Sequence, residues 1–145
     1  MSTGPVSEVA ETEPASASNA TTTADGEPLT MYLFVRKDLE SDLNWPSGSV
    51  ITQACHASMA VMHKNSRDPA VLEYLNDLER MHKVTFAARD PAHLTKIRTA
   101  LTTHSKVFHE WIEQPEGIPT CIATMPYRRS EMREVMKRCR VSLYK

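Results

Sequence analysis

An apolar run, Met31-Tyr-Leu-Phe-Val35, leads into Arg36-Lys-Asp38 and then a punctuated stretch, Trp45-Pro-Ser-Gly48. Beyond it, Val50, Ala54, Ala57, Val61 and Met62 recur at the spacing of one helix face. The apolar run reads as a strand, and the periodic run reads as a helix over residues 48–64. Ser47 is the expected N-cap. Strands interleaved with helices, as here and along the rest of the chain, indicate a layered α/β arrangement.

The remaining chain continues the alternation. Asp68-Pro69 combines a capping residue with a first-turn proline, and Val71, Leu72, Leu75, Leu78 and Met81 follow as an apolar stripe. Val84–Ala88 reads as a short strand. Asp90-Pro91 repeats the cap signal before Leu94, Ile97 and Leu101. Val107–Ile112 and Thr120–Met125 read as strands, the second closed by Pro126. A basic helix over Ser130–Arg138 is expected to face inward with Met132, Val135 and Met136. The expected architecture is one α/β domain with four strands and helices packed on the sheet faces. Element order alone leaves open which strand is antiparallel.

Composition divides the chain. Residues 1–29 contain no Lys, Arg or aromatic residue and are rich in Ser, Thr, Ala, Glu and Pro. Such a segment buries too little apolar area to offset its ordering entropy, so a disordered acidic tail is expected before a domain at 30–145. The tail has no apolar signal core and no arginine-rich pattern, and no run approaches the ~20 apolar residues of a membrane span. A soluble, cytoplasmic protein is expected. Removing Glu8, Glu11, Glu13, Asp25 and Glu27 from the 18 acids leaves 13 against 17 bases. The excess lies near the C-terminus, where a basic helix suits a phosphate backbone or forms a solvated face. Cys55, Cys121 and Cys139 are odd in number and widely spaced, as free thiols in a reducing compartment are. No metal-ligand spacing is present, and no metal or cofactor is expected.

Chemistry concentrates at the start of the first long helix, which carries Gln53, Cys55 and His56. Unpaired backbone N–H groups and the positive end of the helix dipole suit this place to a phosphate or an oxyanion. Gln53 can donate and accept hydrogen bonds, and His56 can move a proton or orient a neighbour. Glu113 or Glu116 offers a carboxylate from a loop, and Thr120 a hydroxyl at a strand start. A Gly-x-Ser-x-Gly elbow is lacking, which excludes an α/β-hydrolase nucleophile.

The combination Val35-Arg-x-Asp38, Gly48 and Gln53-x-x-His56-Ala57 resembles the type 2 peptidyl-tRNA hydrolase family. Lys83-Val84 with the Asp90-Pro91 helix, and Thr120-x-Ile-Ala-x-x-Pro126, extend the resemblance over residues 31–145. Trp45-Pro-x-Gly48 and Glu113-Gln-Pro-Glu116 look like its peptidyl-tRNA hydrolase domain-containing protein 1 subgroup. The resemblance implies a mixed four-stranded sheet and metal-free hydrolysis of the ester joining a peptide to the 3′ end of tRNA, a ribosome-rescue step of translation. It implies Gln53, His56, Glu113 and Thr120 as catalytic residues, with Arg36, Lys37, Arg128, Arg129 and Arg133 on the RNA. A homodimer is left open. Two departures stand out: Ser49 occupies the place of the family lysine after the glycine, and Glu113-Gln-Pro-Glu-Gly-Ile-Pro119 replaces the family's Asp-Ala-Gly-x-Thr-Gln loop. The alternative is a member that keeps the fold and an RNA- or protein-binding surface without hydrolysis.

Overall fold

The computed structural model describes residues 26–145, and most of the expected acidic tail lies outside them. Strand β1 (Thr30–Arg36) is the centre of the sheet, and its residues from Met31 to Arg36 are all buried. A short helix α1 (Asp38–Ser41) and the long α2 (Ser47–Lys64) follow. Then come α3 (Pro69–Leu75), a single 3-10 turn (Leu78–Arg80) and β2 (His82–Ala88). The order continues with α4 (Pro91–Thr103), β3 (Phe108–Glu113), β4 (Ile118–Thr124), α5 (Arg129–Cys139) and β5 (Ser142–Leu143).

The strands lie in the order β3-β4-β1-β2-β5. β1 is parallel to β2 and antiparallel to β4, so the sheet is mixed. It has five strands, which corrects the expected four. The fifth is two exposed residues, paired with Phe86 and Ala87 of β2, and a segment that short carries no alternation to be recognised.

Helix starts follow local chemistry at two sites. The side chain of Asp68 accepts from the Ala70 N–H at 2.9 Å, and Asp90 accepts from the His93 N–H at 2.7 Å. At α2 the expectation is corrected: Pro46 is the N-cap, Ser47 is the first helical residue, and no side chain caps the helix. The apolar stripe after Asp68 is also corrected. Helix α3 ends at Leu75, its buried residues are Val71 and Tyr74, and Leu72, Leu75, Leu78 and Met81 are exposed.

Two cores flank the sheet. One face packs Leu33, Val35 and Cys121 against Val50, Ala57 and Val61 of α2. The other packs Phe34 and Ile122 against Leu94 and Ile97 of α4 and Met132 and Val135 of α5. Helices α2 and α5 therefore lie on opposite faces. The domain also starts before residue 30: Leu29 is buried, and Glu27 accepts from the Ser130 N–H at 2.9 Å.

Candidate active site

The site forms at the C-terminal end of β1, where the chain turns into α2. Because β4 is antiparallel to β1, its start lies at this end, and Cys121 pairs with Val35. The pairing brings Thr120 under the first turns of α2. Thr120 is fully buried, and its hydroxyl donates to Gln53 Oε1 at 2.7 Å. The Gln53 amide nitrogen donates to the Ser49 carbonyl at 3.1 Å. Gln53 is thus held from both ends, and a strand start is tied to the first two turns of a helix.

A cleft of about 410 Å³ opens above this pair. Ser49, Thr52, Gln53 and His56 of α2 line one side, with Glu113 and Glu116 on the other. The expected Gln53, His56 and Glu113 therefore converge, while Thr120 reaches the cleft only through Gln53. Among the described residues, no Lys or Arg lines it. Pro46 brings no capping side chain to the start of α2, and the Ser49 and Val50 N–H groups both donate to its carbonyl, at 2.9 and 3.2 Å. A Cβ added at Gly48 would meet nothing within 4 Å, so space alone does not require glycine at this position.

Glu113 ends β3. Its carboxylate accepts from the Trp111 indole N–H at 2.9 Å. That bond is the main reason its pKa lies below the ordinary glutamate value, with smaller contributions from the Gln53 amide and the nearby His56; burial opposes them. The carboxylate is ionised and aimed by its neighbours. The loop that follows closes through the Gly117 N–H donating to the Glu113 carbonyl at 2.7 Å. Gly117 has φ +66°, a left-handed geometry that favours glycine.

His56 lies flat on the Trp111 ring, with centroids 4.4 Å apart and planes at 20°. Trp111 therefore orients both His56 and Glu113, a function that sequence reasoning missed. The signal was available, because residues two apart on a strand share a face and Trp111 precedes Glu113 by that interval.

The expected RNA-contacting residues do not form one surface. Arg36 is corrected: it is buried, and its guanidinium makes a two-pronged pair with Asp38 while donating to the Pro119 carbonyl at 3.0 Å. It fastens the end of β1 to the start of β4 and is unavailable to a phosphate. Lys37 is at the cleft end, paired with Glu40 at 2.8 Å. Glu40 also accepts from Tyr144 at 2.8 Å, and its pKa is lowered to about 2, chiefly by Lys37 and then Tyr144. Arg128, Arg129 and Arg133 stand at the other end of the sheet, since Tyr127 bridges Thr30 at the start of β1. A seven-residue strand separates the two ends, roughly 20 Å at strand rise.

The mixed α/β sheet and the cleft at the start of α2 agree with the fold implied by the motifs, and residues 29–142 match the family described as Peptidyl-tRNA hydrolase PTH2. The chain belongs to that family. Within it the similarity is to the PTRHD1 subgroup. The human protein named "Putative peptidyl-tRNA hydrolase PTRHD1" is 38% identical over 119 residues, covering 81% of this chain and 85% of the relative. The mouse protein of the same name is 39% identical over 114 residues, covering 78% and 81% respectively.

Proposed function

We propose that this protein hydrolyses the ester between a peptide and the 3′ end of tRNA in the cleft at the start of α2. The observation that carries this reading is the convergence of Gln53, Glu113 and His56 beside an uncapped helix start. In the reaction, the Glu113 carboxylate accepts a hydrogen bond from water and aims it at the ester carbonyl. Glu113 is a weak base for full proton removal, because its pKa is held low, so its contribution is orientation. The oxyanion that forms lies near the first N–H groups of α2, where the helix dipole favours negative charge. His56 accepts the proton that the attacking water loses and passes it to the departing ribose oxygen as the ester C–O bond breaks. Thr120 is a positioning residue, fixing Gln53 and through it the cleft wall. The reaction uses neither metal nor cofactor, and the substrate class places the protein in translation and ribosome rescue in the cytoplasm.

A second reading, a binding module without hydrolysis, is favoured by one feature. Among the described residues the cleft is lined by two carboxylates and no Lys or Arg, with Ser49 exposed where the family lysine is expected. One experiment tests both. Purified wild type and Ser49→Lys are compared on peptidyl-tRNA at low salt, with His56→Ala in each background. The lysine should raise hydrolysis substantially, since removal of one oxyanion donor elsewhere costs about 10²–10³ in rate. The helix dipole opposes a cation at that place by only ~0.3–1 kcal/mol. Two inert proteins that still bind tRNA would leave the binding module as the function.

A further inference from the structure

A second and larger cavity, about 760 Å³, lies on the other face of the sheet, between α5 and the strands β1 and β2. Its strand side is apolar and aromatic, formed by Tyr32, Val84 and Phe86. The Tyr32 and Phe86 rings are nearly parallel, with centroids 6.3 Å apart and planes at 5°. The α5 side presents Arg129, Arg133 and Met136. Among the described residues, neither of these arginines makes an ion pair, whereas the neighbouring Arg128 is paired with Glu73 at 3.2 Å.

One end of the groove already holds an anion. The Glu27 carboxylate accepts from the Ser130 N–H at 2.9 Å in the first turn of α5. Its pKa is lowered first by that bond and by the Ser130 side chain, then by the charges of Arg133 and Arg129. The chain's own carboxylate thus stands in for a ligand anion at a helix start flanked by guanidinium groups.

An aromatic wall, two arginines without an ion pair among the described residues, and an anion position match the parts of a phosphorylated nucleoside. A base gains stacking on aromatic rings, and a phosphate gains charge-assisted hydrogen bonds from arginine and from helix N–H groups. A solvated basic face has no use for the aromatic wall. A bare anion site has none either. We propose that this groove binds a phosphorylated nucleoside, with the base against the half-buried Phe86 ring and the phosphate between Arg129 and Arg133, and that Glu27 is a tethered competitor for the phosphate position. Because the groove and the cleft lie on opposite faces, the assignment is independent of hydrolysis. A free nucleoside monophosphate and a nucleotide within single-stranded RNA present the same chemistry.

The full-length protein should be titrated with adenosine monophosphate, single-stranded oligoadenylate and inorganic phosphate, by calorimetry and by amide NMR shifts. Saturable binding of the monophosphate is expected, with shifts at Val84, Phe86 and along α5. Glu27→Gln should tighten it, and Arg133→Ala or Arg129→Ala should weaken it roughly 10-fold or more, the usual scale for charge-assisted bonds. Circular dichroism of these surface variants checks that they fold. An oligonucleotide that binds more tightly than the mononucleotide would identify RNA as the source of the ligand, and equal affinity would identify the free nucleotide. The proposal is overturned if Glu27→Gln binds neither ligand. It is also overturned if inorganic phosphate binds as tightly as the monophosphate, or if the shifts map to the Gln53 cleft.

Discussion

Thr120→Val isolates the contact on which the cleft wall depends. Valine matches threonine in shape but removes the hydroxyl that donates to Gln53 Oε1 at 2.7 Å. Both residues are buried, Thr120 at 0% and Gln53 at 3% exposure, so water does not replace the lost donor without rearrangement. A buried acceptor left without its partner costs about 1–3 kcal/mol. For a domain of this size, 1 kcal/mol corresponds to roughly 4 °C in melting temperature, which places the expected drop at roughly 4–12 °C. Thr120→Ser is the control, because it keeps the hydroxyl and removes a methyl group. Urea unfolding and thermal melts of the three proteins measure the effect, alongside peptidyl-tRNA turnover. Valine should be the less stable variant and should also lower turnover more than serine, because Gln53 loses one of its two anchors. Equal stability of the valine variant and wild type would refute the reasoning. So would a serine variant weaker than the valine one, since packing rather than the hydrogen bond would then dominate.

Arg36→Ala should cost about 3–5 kcal/mol by stranding the buried Asp38 carboxylate, and Arg36→Lys should recover only part of it, because a point charge lacks the two-pronged geometry; denaturant titration of both variants checks this. Deleting residues 1–25 should leave the melting temperature unchanged, whereas deleting 1–29 should lower it by removing the Glu27 bond and the buried Leu29, a residue type whose truncation to Ala costs about 2–5 kcal/mol in cores. Glu113 has its pKa lowered from 4.5, so its carboxylate stays ionised as pH falls through the ordinary glutamate range. Its contribution to turnover should therefore persist below pH 4.5, disappearing only at still lower pH, and Glu113→Gln should remove it at every pH. An acid limb centred at the ordinary glutamate value, measured by initial rates across pH, would contradict this assignment.

Local sequence determined the elements whose signal is carried by neighbours. The apolar run of β1 is buried along its length, and Asp68 and Asp90 cap the helices they precede, because these interactions span only a few residues. Periodicity likewise marked Met132 and Val135 as the buried face of α5, with Cys139 joining them. The motif around Gln53 and His56 marks the helix start beside which the cleft opens.

What the chain could not express locally is decided by strand direction and pairing. A two-residue strand such as Ser142–Leu143 exists only because β2 offers an edge. Leu72 and Leu75 follow a helical period, yet the face of α3 turned inward is that of Val71 and Tyr74. Arg36 reads as a surface cation until the Asp38 carboxylate and the Pro119 carbonyl, 83 positions away, close around it. Glu113 and Gln53 become neighbours only because β3 and β4 bring their loop over the start of α2. The antiparallel run of β4 carries the chain away from the cleft before α5 begins, so Arg129 and Arg133 are placed on the opposite face and at the far end. Sequence spacing encodes contacts a few residues apart; the long-range ones are selected by which arrangement buries both faces of β1 and leaves its polar groups paired.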